Sequence, residues 1–238
     1  MARLELIVDA HSKCGVKRET NEDCVGVGSW ISSQETKDEF MGNFMLSKDQ
    51  HLFLIADGIG GHDNGEVASR LAVHLMATAF LNESNFQINS VISEVHTKLT
   101  IDGRHSARPM GTTIVGLILG KNEATFFNIG DSKGYEIINN SIQQVTSDDR
   151  SNPSNRNLIN NCLGGGLSLP KPNIFKRSFA DERGFLLASD GITNWLKEED
   201  IYRIITKKHE GSSERLCEKA IESGSGDDVS AIVIKWNV

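Results

Sequence analysis

Residues Leu52–Ser69 read Leu-Phe-Leu-Ile-Ala-Asp-Gly-Ile-Gly-Gly-His-Asp-Asn-Gly-Glu-Val-Ala-Ser, and no other stretch restricts the possible folds as much. The run Leu52–Ala56 suits a short strand buried on both faces. It stops at an acid, Asp57, and glycines follow at positions 58, 60, 61 and 65. Glycines there allow a tight turn and let the backbone approach whatever the acid holds. Asp63 stands three residues before Glu66, a capping-box-like spacing that opens a helix. Taken alone, the segment also reads as an Asp-Gly turn with no chemistry.

The same design recurs. Gly184–Gly191 is an apolar run ending in Ser189, Asp190 and Gly191, and Thr125–Asp131 is a third run that ends in an acid. Gly226-Asp227-Asp228 precedes the apolar run Val229–Trp236, so there the acids open the strand. Acids at the ends of strands far apart in sequence can meet at one edge of a sheet system. Such a cluster is tolerable only if a cation neutralises it or some members stay protonated. Oxygen donors without a paired His/Cys set favour Mg2+ or Mn2+ over zinc.

Nothing in the 238 residues reads as a linker, which points to a single domain over residues 1–238, although the length also suits two small ones. The net charge of −7 and the scattered Lys and Arg disfavour a nucleic-acid surface. No apolar stretch is long enough for a membrane helix, and the short run Leu4–Val8, broken by Glu5, lacks signal-peptide shape. Cys14, Cys24, Cys162 and Cys217 have no metal-site spacing and read as reduced thiols of a cytoplasmic protein, with a catalytic cysteine as the alternative.

Leu4–Asp9 and Asp23–Gly28 read as two strands paired in a hairpin, and Ser29–Gln50 as a polar surface loop. Gly65–Leu81 is the clearest helix, with Val67, Leu71, Leu75, Ala68, Ala72 and Ala79 on its apolar stripe. Ile88–Leu99 is a second helix. Thr112–Leu119 with Ala124–Ile129, and Gly134–Ile138 with Ile142–Val145, read as hairpins, so the pairing is antiparallel. Asn173–Ser178, Phe185–Ala188 and Val229–Trp236 are further strands, and Glu198–Lys208 and Ser213–Ser223 further helices. The expectation is an α+β layered architecture.

With these elements placed, the motifs Arg18-Glu-Thr-Asn21-Glu22-Asp23, Asp57-Gly58-Ile-Gly60-Gly61-His62, Gly111-Thr112-Thr113, Gly130-Asp131-Ser132, Leu163-Gly164, Ser189-Asp190-Gly191 and Gly226-Asp227-Asp228 follow one another along nearly the whole chain. In this order the chain resembles the metal-dependent serine/threonine protein phosphatases of type 2C, in their compact bacterial form. The resemblance implies a four-layer α-β-β-α sandwich, two antiparallel sheets flanked by helix pairs, with metals in a cleft at one end. It implies two Mn2+ or Mg2+ ions held by Asp57, Asp190 and Asp227 with the carbonyl of Gly58. Glu22 and Asp23 would act through waters, and Asp131 with Asp190 would serve a weaker third ion. Arg18 would grip the substrate phosphate, the alternative for it being a surface salt bridge to Glu19 or Glu22. Phosphorylated proteins, among them a Ser/Thr kinase or its targets, would be the partners of a monomer in bacterial signalling.

Several positions depart from the family pattern. Where many members carry a histidine two residues after the first aspartate, this chain has Ile59. His62 is then a candidate proton donor, the alternative being a histidine that caps or packs at the helix start. Asp228 replaces the usual Asn and is expected to turn away from the metals. Asp148-Asp149-Arg150 replaces Asp-His-Ser, so a role for Asp149 does not carry over. The stretch Asp149–Cys162, where relatives have a longer flap, is short and rich in Asn and Ser, which leaves the cleft open. A non-catalytic phosphoprotein-binding module on the same fold and a metal-dependent nuclease or phosphodiesterase are the rival readings. A full set of ligand acids disfavours the first, and the lack of a basic groove the second.

Overall fold

The computed structural model describes the chain except residues 1–3, 35–36, 47–49, 60–63, 83–84, 106–108, 122, 139, 150–160, 166–167, 179–183, 208–209 and 237–238. In chain order the strands are β1 (Leu4–Lys13), β2 (Asp23–Val27), β3 (Trp30–Ile31), β4 (Lys37–Leu46), β5 (His51–Ile59), β6 (Gly111–Thr112), β7 (Ile114–Leu119), β8 (Glu123–Ile129), β9 (Lys133–Ile138), β10 (Ser141–Gln144), β11 (Leu163–Gly164), β12 (Asn173–Ser178), β13 (Gly184–Ala188) and β14 (Val229–Trp236). The helices are α1 (Gly65–Asn82) and α2 (Ile88–His105) between β5 and β6, and α3 (Asp190–Thr193), α4 (Glu198–Lys207) and α5 (Ser212–Glu222) between β13 and β14.

One sheet runs β10-β9-β13-β14-β1-β4 and the other β11-β6-β5-β7-β8-β12, with β2 and β3 added beside β5. Every pairing is antiparallel. The two sheets pack face to face through Leu6, Val8, Phe53, Leu117, Phe126, Phe185 and Ile234, with edge-to-face rings at Phe126–Phe185. A second apolar layer joins Leu52, Leu54 and Ile114 to Ala72, Met76, Ile92 and Leu99 of α1 and α2. A third joins Leu186, Ala231 and Val233 to Ile201, Leu216 and Ala220 of α4 and α5. Three apolar layers make four layers of backbone, the α-β-β-α sandwich. Strands Leu52–Ala56 and Phe185–Ala188 are apolar on both faces because each lies between a sheet and a helix layer.

The structure corrects three expectations. β2 pairs with β3 and β5, not with β1, whose neighbours are β4 and β14. The polar segment 29–50 is not a loop: it supplies β3 and the ten-residue β4. β4 is an edge strand with one face in solvent, so its exposed positions carry Lys37, Glu39, Met41 and Met45, and only Phe40, Phe44 and Leu46 mark its inner side. On α1 the buried stripe is Ala68, Ala72, Val73 and Met76, while Val67 is 48% exposed. The stretch 150–160, on which the short-flap reading rests, lies outside the described residues, as do His62 and Asp63.

Candidate metal centre

β5 is the inner strand that presents the first acid, and register decides what meets it. Asp57 stands opposite Asp23 of β2, and the next pair along brings Gly58 beside Glu22, whose carbonyl accepts the Gly58 N–H at 3.1 Å. On the other side of β5, Thr113 donates its N–H to the Asp57 carbonyl at 2.8 Å and accepts the Asp57 N–H on Oγ1 at 3.1 Å. The backbone that carries Asp57 is thereby bonded on both edges. A Cβ at Gly58 would lie 2.3 Å from the carbonyl oxygen of Gly65, so only glycine lets α1 begin this close to the acid.

Asp190 and Asp227 arrive from the six-stranded sheet, and Asp131 from the turn that leads from β8, in the same sheet as β5, to β9 in the other. Asp190 follows β13 as the first residue of α3, and its Oδ2 accepts a bond from Asn194 at 2.9 Å. Asp131 follows β8 and is fully buried. Its turn is held from behind by Asp149, which accepts the Gly130 N–H at 3.0 Å and returns its own N–H to the Gly130 carbonyl at 2.9 Å. Asn161 and Asn173 also bond Asp149, which gives that residue a structural task at the site's rim. Asp227 precedes β14, where a Cβ at Gly15 would lie 2.3 Å from the Asp227 carbonyl. That close contact fixes the Gly15 turn against the acid.

These placements put five aspartates within electrostatic reach of one another. Burial, then Asp23, Asp190, Asp227 and Asp131, raise the Asp57 carboxyl well above its ordinary range. Asp23 is 1% exposed and is raised as well, by burial and then by Asp228. The hydroxyls of Ser230 and Ser189 offset part of that shift, yet neither Asp23 oxygen completes a hydrogen bond with a described residue. Asp228 gives both its oxygens to the backbone: they accept the N–H groups of Gly15 and Glu22, each at 2.8 Å. It therefore fixes the backbone of the Arg18 loop, while its charge still acts on Asp23.

Arg18 brings its guanidinium into the same cluster. Nε donates to Asp227 Oδ1 at 2.8 Å, Nη2 to the same oxygen, and Nη1 to Glu22 Oε2 at 2.9 Å. Burial works against its charge, but Asp227, Glu22 and Asp228 outweigh that and hold the pKa above the usual arginine range. The salt bridge to Glu22 expected as an alternative is present, and the one to Glu19 is absent among the described ion pairs. Cys14, beside this loop, has its thiol pushed up to about 11 by burial and Asp228, so it stays protonated and offers no nucleophile.

The donor set suits hard divalent cations. It consists of oxygens only, its members repel one another, and the buried Asp23 carboxylate lacks the hydrogen bonds that its position demands. Among the described residues no three of these acids bring oxygens within 4.8 Å of one another; the one trio that does is His11, Glu39 and Glu214, elsewhere on the molecule. Within the set, Arg18 already engages Oδ1 of Asp227. Sequence spacing gave no sign of that second trio, because its members come from positions 11, 39 and 214.

The family model described as Protein phosphatase 2C matches residues 29–222. The serine/threonine phosphatase stp of Listeria welshimeri is 28% identical over 231 residues, covering 83% of this chain and 89% of its own. The crystal structure of Stp1 from Staphylococcus aureus shares the fold with a TM-score of 0.80 at 24% identity, over 96% of this chain and 94% of that one. The catalytic domain of the phosphatase PstP, solved with two manganese ions, superposes with a TM-score of 0.74 at 25% identity, over 97% and 99% of the two chains. This chain belongs to the protein phosphatase 2C family, the metal-dependent serine/threonine protein phosphatases.

Proposed function

We propose that the Asp57 cluster is the catalytic centre, through which the protein hydrolyses phosphoserine and phosphothreonine in other proteins. The observation that carries this is the meeting of Asp57, Asp23, Asp190, Asp227 and Asp131 from separate strand ends, where burial and then the neighbouring acids push the Asp57 carboxyl up. Asp57, Asp190 and Asp227, with the Gly58 carbonyl, would hold two Mn2+ or Mg2+ ions, Glu22 and Asp23 would act through waters, and Asp131 with Asp190 would serve a weaker third. Two such ions would lower the pKa of a bound water and offset the charge of the phosphate. The protein's own part is positional. The bonded backbone of β5 keeps Asp57 and Gly58 from moving, and Asp228 and Gly15 hold the Arg18 loop over the cleft.

Arg18 is assigned to the phosphate. Its planar group has five N–H donors, and its three bonds to Asp227 and Glu22 leave two to meet phosphate oxygens. His62 is retained as a candidate proton donor to the leaving alkoxide. Residues 1–238 are read as one catalytic domain, acting as a monomer in the cytoplasm on a Ser/Thr kinase or its targets. Among the described residues no helix is long and apolar enough to cross a membrane. The test is Mn2+-dependent release of phosphate from a phosphothreonine peptide by wild type and Asp57→Asn. The variant should fold and lose nearly all turnover; activity within about tenfold of wild type at saturating Mn2+ would remove Asp57 from the centre.

A further inference from the structure

The β4 edge of the six-stranded sheet carries a second group of metal-ligating side chains. His11 of β1 and Glu39 of β4 are cross-strand partners, and Glu214 in the first turn of α5 comes down beside them. One ring nitrogen of His11 and one oxygen from each glutamate all lie within 4.8 Å of one another. His11 is 2% exposed, and its Nε2 has no hydrogen-bond partner among the described residues. A buried ring that keeps an unpartnered nitrogen and brings one of its two nitrogens within 4.8 Å of two carboxylate oxygens has a ligand's chemistry to offer there. Burial and then the Lys37 ammonium hold the imidazole below its ordinary pKa, so the ring is in the neutral form that ligates metals.

Lys37 shows that the pair of glutamates already attracts a cation. Its Nζ lies 2.7 Å from Glu214 Oε1 and 3.5 Å from Glu39 Oε2. The lysine side chain is 45% exposed and can swing into solvent, whereas His11 cannot leave. We propose that His11, Glu39 and Glu214 form a site for a divalent transition-metal ion, zinc by donor type, which enters by displacing Lys37 from the two glutamates. One imidazole nitrogen and two carboxylate oxygens make a three-ligand zinc site, with a fourth position left to water. Magnesium prefers oxygen ligands alone and is a poor competitor for it. None of the three ligands belongs to the acid set around Asp57. An ion here would tie the edge strand β4 to β1 and to the start of α5.

The test uses the full chain in excess Mg2+, which occupies the carboxylates around Asp57, titrated with Co2+ as a spectroscopic stand-in for Zn2+. One equivalent of Co2+ should bind with visible absorption and be displaced by Zn2+. Glu39→Gln and Glu214→Gln, at positions open to solvent, should each weaken it by about tenfold or more. Lys37→Ala should tighten it, because the competing cation is gone. His11→Gln should abolish the absorption; if that variant does not fold, the two glutamate variants carry the test. Absence of Co2+ binding, equal binding in both glutamate variants, or Lys37→Ala binding no more tightly than wild type would each overturn the proposal.

Discussion

Arg18 shares its guanidinium between two of the acids and the phosphate it is assigned to grip, and this divides the consequences of removing it. Losing a charge-assisted contact to phosphate should cost about 1.5–3 kcal/mol, roughly ten- to a hundredfold in kcat/KM. Arg18→Ala should therefore raise KM and weaken inhibition by free phosphate. It should not weaken Mn2+ binding, because the arginine pulls Asp227 away from any ion. A variant with normal phosphate inhibition but a tenfold loss of Mn2+ affinity would make Arg18 a support for Asp227 instead. Asp228 offers a contrasting case. Its carboxylate is 4% exposed and satisfies two backbone N–H groups, so Asp228→Ala leaves both donors unpaired, at about 1–3 kcal/mol. Urea melts should show that loss, together with a rise in the Mn2+ needed for half activity as the Glu22 and Arg18 backbone loosens.

At the scale of elements, β5 and α1 form the unit on which the site depends. Gly58→Ala forces a methyl to within 2.3 Å of the Gly65 carbonyl, which is backbone and cannot rotate aside. The start of α1 must shift, at about 1–3 kcal/mol for overpacking of this kind, and Asp57 shifts with it. A Gly58→Ala protein with wild-type melting and Mn2+ dependence would show that α1 gives way freely. This unit was also the most legible part of the sequence, because Leu52–Ala56 is apolar on both faces and its end is marked by an acid and glycines. The strand ends carrying Asp131, Asp190 and Asp227 were legible for the same reason. What did not show was pairing: nothing local in Asp23–Val27 says that its neighbour is β5 rather than β1, since register across the sheet is settled by long-range packing. β4 was hidden because an edge strand with one wet face is as polar as a loop. The four-residue α3 was too short for any periodicity, although it starts on Asp190.

At the scale of the whole molecule, the acid cluster sets stability against function, and pH exposes the conflict. Asp57 and Asp23 both have folded pKa values raised above the ordinary 3.8. Below about 3.8 the acids are protonated in the folded and unfolded chains alike and contribute nothing. As pH rises from there, the unfolded chain releases its protons first, so stability falls until the raised values are passed. A divalent ion that binds the ionised cluster removes this penalty and expels the retained protons. The Tm difference between protein in Mg2+ and protein in chelator should therefore widen as pH rises above about 3.8 and level off once the raised values are passed. His11 works in the opposite direction, because its lowered pKa favours the folded state as pH rises toward 6.5. Magnesium does not suit an imidazole, so that contribution is common to both conditions and cancels in the difference. Asp57→Asn removes one charge and should flatten the pH dependence of the difference while raising Tm in chelator. A Tm difference independent of pH in the wild type would mean that the ion binds elsewhere, and that the acids at these strand ends are held apart by the fold alone.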